Sequence, residues 1–146
     1  MAQKDNSEVI KSLLRTVLAI SSRKTSQSVA ATAMDALLQQ LKTRYDFLKH
    51  VQIKDTRYSE DWDPVGVVSD INSVESAEIG KAIYSILRSM NRSLGKSAGH
   101  FFIREIQNSL DDEYTTIMRD MGVDLSLMQL EREVEEWEKR LTTKKG

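Results

Sequence analysis

Apolar residues recur along most of this chain at steps of three and four, the spacing that places them on one face of an α-helix. The cleanest run comes last. Leu127, Leu130, Val134, Trp137 and Leu141 step by three, four, three and four, a single seam such as lines one face of a bundle helix or a coiled coil. Near the start, Val9, Ile10, Leu13, Leu14, Val17 and Leu18 predict a first helix, opened by Asp5 and Glu8 at the spacing of a capping box. The polar stretch 21–28 predicts a break. A second, longer helix follows, capped by Ser26 or Ser28, with Val29, Ala33, Met34, Leu37, Leu38, Leu41, Tyr45 and Leu48 on one face.

The period changes after His50. Val51 and Ile53 alternate with Gln52 and Lys54, and Thr56 and Tyr58 suit a strand, so residues 51–58 predict a β-strand. Asp61, Asp63, Pro64 and Gly66 form a turn set, and residues 65–71 then predict a return strand. Ser73 opens a third helix with Ile79, Ile83, Ile86, Leu87, Met90 and Leu94 on one face and Gly95 at its left-handed end. Ser97 caps a fourth, striped by Phe102, Ile106, Leu110, Ile117, Met118 and Met121 and kinked at Asn108-Ser109. Gly122 and Val123 fit a Schellman ending. Asp124 caps the last helix, and residues 142–146 are expected to fray.

The expected fold is mostly α: about five helices around one core, with a small β-hairpin between helices 2 and 3 (α+β if the hairpin forms). Residues 1–146 read as a single helical domain, with 125–141 as an amphipathic C-terminal helix and candidate oligomerisation element. One proline and six glycines in 146 residues suit that architecture. The absence of cysteine removes disulfides, thiolate nucleophiles and zinc–cysteine sites. No apolar run reaches the roughly 18–20 residues that span a bilayer, and the polar start opens no signal peptide, so the expected location is the cytoplasm, without membrane association.

The net charge of −1 hides an asymmetry. Residues 1–58 carry ten basic against five acidic side chains, and residues 59–78 carry none against six. A basic first half facing an acidic connector is either internal complementarity or a binding surface. Lys11, Arg15, Arg23, Lys24, Lys42 and Arg44 are the candidates for phosphate contact in an alternative reading as a nucleic-acid accessory protein. A near-neutral balance, and the lack of any recognisable nucleic-acid motif, weigh against it.

Catalytic motifs are fragmentary. Gly95-Lys96-Ser97 matches the tail of a phosphate-binding P-loop, but the glycine required five positions earlier is Met90. Asp61, Asp63 and Gly66 match three positions of a calcium loop whose twelfth, normally a bidentate Glu, is Asn72. His50 and His100 have no second histidine one turn away, and the carboxylate runs 111–113 and 135–136 lie in charge-rich, solvated stretches. A small-ligand reading would use Ser97, Gly99 and His100, with the helix start holding an anion beside the acidic 59–73 segment. No enzyme class, cofactor or metal site emerges. The leading expectation is a non-enzymatic interaction or regulatory domain, self-associating or meeting another protein through Leu127, Leu130, Val134, Trp137 and Leu141. The competing reading buries that seam in the chain's own core; Trp137, a large aromatic anchor, favours association.

Overall fold

A computed structural model describes residues 5–53, 65–94, 99 and 101–145. It is mostly α. Among the described residues six α-helices are α1 (Asn6–Lys24), α2 (Gln27–Leu41), α3 (Ser76–Leu94), α4 (Phe102–Ser109), α5 (Asp112–Asp120) and α6 (Leu125–Lys145). Between α2 and α3 lie two short strands, β1 (Val51–Ile53) and β2 (Val65–Val67), each next to a 3-10 turn, Asp46–His50 before β1 and Ser69–Ser73 after β2. The strands are antiparallel, with Val51 opposite Val67 and Ile53 opposite Val65, so the expected pairing forms and the return strand ends at Val67.

The molecule is built around α1. Its buried residues, from Asn6 and Val9 to Ile20 and Ser21, sweep about half the circumference at roughly 100° per residue. That arc is too wide for one neighbour, and α1 packs against α2, α3, α4, α5, β2 and the second 3-10 turn. Burial of side chains such as Leu13, Leu14 and Val17, each at 0% exposure, stabilises the fold by about 1.5–3 kcal/mol apiece. The capping box of Asp5 and Glu8 opens this helix as its spacing predicts.

Polar contacts fix where the start of α1 sits. The buried Asn6 side chain donates to the carbonyls of Val74 (2.8 Å) and Ile71 (3.3 Å). The Ser7 amide, unpaired within the first helical turn, donates to Asn72 Oδ1 at 2.8 Å. The helix start and the second 3-10 turn therefore satisfy each other.

Several sequence-based boundaries shift. The break expected over 21–28 shrinks to Thr25 and Ser26, because Ser21 is buried and α1 runs on to Lys24. Ser26 caps α2, accepting from the Val29 amide at 3.1 Å. Ala30, not Val29, enters the core, and Val29 is exposed. The second helix ends at Leu41; Tyr45 and Leu48 follow in or beside a 3-10 turn that still buries Leu48. The return strand stops at Val67, where the chain turns so that Ile71 can be buried, and α3 begins at Ser76 rather than Ser73. Residues 54–64, including the remainder of the first strand and the Asp61, Asp63 and Pro64 turn, lie outside the described residues, as do the caps expected at Gly95 and Ser97.

The largest correction concerns the fourth helix, which is two. Leu110 and Asp111 adopt extended backbone between α4 and α5. Asn108 and Ser109 are weak helix formers, and Asp111, Asp112 and Glu113 favour a new N-terminus, where carboxylates meet the positive end of the helix dipole. At the end of α5 the Schellman closure forms in full. Val123 N–H donates to Met118 O (2.8 Å), Gly122 N–H to Arg119 O (3.0 Å), and Gly122 takes φ of 100°. Val123 and Met118, the apolar pair of that motif, are both buried. The α6 backbone continues through residues 142–145.

Gly80 sets the approach of α3 to this closure. A Cβ there would fall on the carbonyl oxygen of Met121. Gly80→Ala gains about 1 kcal/mol of helix propensity, but the obstacle is backbone and cannot rotate aside, and such overpacking costs about 1–3 kcal/mol. The variant is expected to lower the urea midpoint of unfolding, with a net loss of up to about 2 kcal/mol; an unchanged or higher midpoint would show that the contact yields freely. Asn6→Ala removes the side-chain donor to the Val74 carbonyl and leaves the Ile71 carbonyl with the Val74 amide alone, and an expected loss of about 1–3 kcal/mol is checked by the same titration.

Candidate interaction surface

The site rests on how α6 is held. Asp124 caps it, accepting the Leu127 amide at 3.1 Å. Leu125, Met128 and Gln129 are its buried side chains, and its chief neighbour is α4. Gln129 performs a task that the sequence of α4 leaves open. Phe101, at the N-cap position, has no side chain able to cap. Instead Gln129 Oε1 accepts the Arg104 amide at 3.1 Å, while its Nε2 donates to Glu133 at 3.2 Å. A glutamine from one helix thus satisfies a free amide in the first turn of another.

Further pairs carry this junction along. Gln107 donates to Ser126 Oγ at 2.8 Å, and Arg104 lies 3.8 Å from Glu133. From α3, the Tyr84 hydroxyl donates to Glu131 at 3.2 Å. As the contacts move back along α4 from Gln107 to Arg104, they move forward along α6 from Ser126 to Glu133, so the two helices run antiparallel. With eight residues α4 spans about 12 Å, whereas the 21 residues of α6 span about 31 Å. Helix α4 can cover less than half of α6.

The seam lies on the other side. Leu125, Met128, Gln129, Arg132 and Glu136 share the core-facing stripe of α6, and the line through Leu127, Leu130, Val134, Trp137 and Leu141 runs roughly 160° away around the helix. The five seam residues are 52%, 54%, 45%, 62% and 42% exposed. Burial therefore assigns the core contact of α6 to other residues and leaves a continuous apolar stripe facing outward. Most exposed apolar side chains are single and unremarkable; Val29 and Val68 are such cases. Five along one helix face are not.

Lys11, Arg15 and Arg23 lie at intervals along α1; Arg23 and Lys24 sit beside the turn into α2, and Lys42 and Arg44 follow α2 at the opposite end of that helical hairpin. Lys24 is ion-paired with Glu105 at 2.8 Å, and Lys42 donates to Gln39 at 3.1 Å. Of the candidate ligand residues, Gly99 takes φ of 79° near the Lys24 ammonium, while Ser97 and His100 lie outside the described residues. Among the described residues no three His, Cys, Asp or Glu side chains are placed to hold a metal ion, and no described helix is long and apolar enough to cross a membrane.

Two features of the surface escape sequence reasoning. Phe101 is 46% exposed at the start of α4, with the Arg104 guanidinium 5.1 Å from its ring centre. Gln129 is buried by contacts that depend on α4 being in place; no spacing in the sequence marks it. Comparison with protein-family models, with curated proteins and with solved structures gives no match.

Gln129→Leu keeps apolar bulk but removes the acceptor for the Arg104 amide. A loss of about 1–2 kcal/mol is expected, the size of a deleted helix cap, together with faster hydrogen exchange at that amide. Exchange at the wild-type rate would mean that α4 does not depend on α6 for its cap.

Proposed function

We propose that this chain is a non-enzymatic interaction module that self-associates through α6. The observation that carries the reading is the outward seam Leu127, Leu130, Val134, Trp137 and Leu141 on a helix whose own core contacts are made by Leu125, Met128 and Gln129. An apolar stripe of this length is exposed on a monomer at a cost that association removes. The seam repeats at the heptad interval, and charged residues flank it, which suits pairing with another helix better than binding a small molecule. Trp137, the most exposed of the five, supplies the large aromatic anchor typical of the energetic centre of an interface.

The test is solution mass by light scattering after size exclusion, for the chain and for the double variant Val134→Ser/Trp137→Ser. Both positions are exposed, so the substitutions remove little folding stability. The parent is expected to run above the 16.6 kDa of one chain, and the variant to fall to that mass with its helical circular dichroism retained. A monomeric parent at about 50 μM, in the micromolar range expected of a modest interface, would overturn the proposal. So would a variant that unfolds, because the seam would then be core.

A further inference from the structure

We infer that the occupant of the α6 seam is a second copy of this chain, with the two α6 helices antiparallel about a two-fold axis between Glu135 and Glu136. The inference rests on the self-association proposed above and adds the geometry of the pair. Placing Leu127, Val134 and Leu141 at heptad positions a, and Leu130 and Trp137 at d, fixes which side chains meet in each arrangement.

Volume is the first discriminator. A parallel pair stacks Trp137 on its own copy and Val134 on its own copy, giving one overfilled layer beside one underfilled layer. In the antiparallel pair centred between Glu135 and Glu136, Trp137 faces the second copy's Val134, and Leu130 faces its Leu141. Large against small keeps these four layers close to the same volume, as efficient packing requires, and Leu127 lies beyond them.

Charge is the second. A parallel pair sets Glu133 against the second copy's Glu138, twice by symmetry. Sliding the antiparallel pair by one heptad, to the register that joins Leu127 to Trp137, sets Glu133 against itself and Glu131 against itself. The register centred between Glu135 and Glu136 instead places Glu133 beside the second copy's Arg140, twice. It leaves one opposed pair, Glu131 with Glu138, also twice, so attraction and repulsion balance where the alternatives are repulsive. Glu133 is already oriented: it accepts from Gln129 at 3.2 Å and lies 3.8 Å from Arg104 on the side of α6 facing α4. The side chain that recognises Arg140 is thus positioned by the same contacts that dock α6.

Size is the third. At the exposures of the four paired seam residues, pairing would bury about 400 Å² on each copy and about 800 Å² in all, below the roughly 1,000 Å² of a stable specific interface and in the range of weak, transient ones. The pair would be reversible rather than obligate. Each α6 is docked on its own α4 through its first half, so in the antiparallel pair the two helical bodies sit at opposite ends and do not compete for space.

The chain has no cysteine, so introduced thiols report only on their own positions. Full-length Leu130→Cys and Leu141→Cys proteins are mixed, equilibrated and oxidised, and the linked peptides are identified after proteolysis. The antiparallel pair brings position 130 of one copy against position 141 of the other, whereas position 130 lies about 16 Å along the helix axis from its own equivalent, too far for a disulfide. Links between the two different variants alone are expected. Links joining like to like would show a parallel pair and overturn this geometry while leaving self-association standing. A chain that still runs as a dimer but yields no link would likewise overturn only the geometry. No link together with a monomeric mass for the unmodified chain would overturn the self-association itself. As a second arm, Arg140→Glu sets a carboxylate against the second copy's Glu133, twice by symmetry, and is expected to weaken association roughly three- to tenfold; unchanged or tighter association would count against the antiparallel register.

Discussion

Burial of α1 on nearly every other element is the constraint on which this structure depends. Asn6 to Lys24 presents a buried arc of about half its circumference, and no single partner can cover so wide a face. Helices α2, α3, α4 and α5, β2 and the second 3-10 turn each take a part of it. The consequence is a core in which neighbours of α1 are fixed relative to one another because they share it. A helix with a narrow stripe would have permitted a simple hairpin; this one requires an enclosure.

Hydrophobic burial is non-directional, so it does not by itself choose among arrangements of similar helices. The choice is made by a few polar and steric contacts. Asn6 and Asn72 lock the start of α1 to the segment after β2. Gly80 allows the α3 backbone to approach the carbonyl of Met121. Gln129 caps α4 from α6. Each tie joins elements far apart in sequence, and each leaves a buried polar group unsatisfied, or a clash, in any other arrangement. In this fold the apolar side chains supply the driving force and these residues supply the uniqueness.

The same division explains what could be read from the chain alone. Elements whose evidence is local were legible: the apolar face of α1, the Asp5–Glu8 capping box, the Ser26 and Asp124 caps, the Gly122–Val123 closure and the kernel of the hairpin. Boundaries failed where a long-range contact decided the matter. Ser21 reads as a breaker, but burial against the core keeps it helical. Leu48 matches the period of α2, yet it reaches the core from a 3-10 turn because the helix must end before β1. Leu110 also keeps the helical period and enters the core, although the backbone there is extended and the helix has divided. Periodicity records which side chains are buried, and different backbones can bury the same set. For α6 the seam itself was legible, whereas its orientation was not, since Leu125, Met128 and Gln129 form too short a stripe to announce themselves as the core face.

That double-faced character bears on the association proposed for α6. An isolated helix is costly to start in water, because nucleation must be met before propagation contributes. Here the first half is already nucleated: Asp124 caps it, Leu125 and Met128 are buried, and Gln129 and Glu133 bind the start of α4. The second half propagates from a fixed turn at little further loss of entropy. The seam is consequently held in helical register before any partner arrives, and association need not supply the ordering that a disordered segment would demand. An interface of only modest area can then be specific, since its affinity is not consumed in folding the helix. Under the proposed self-association, the contacts between α4 and α6, which lie on the face turned away from the seam, would belong to the binding apparatus, and loosening them would weaken pairing without touching a single residue of the seam.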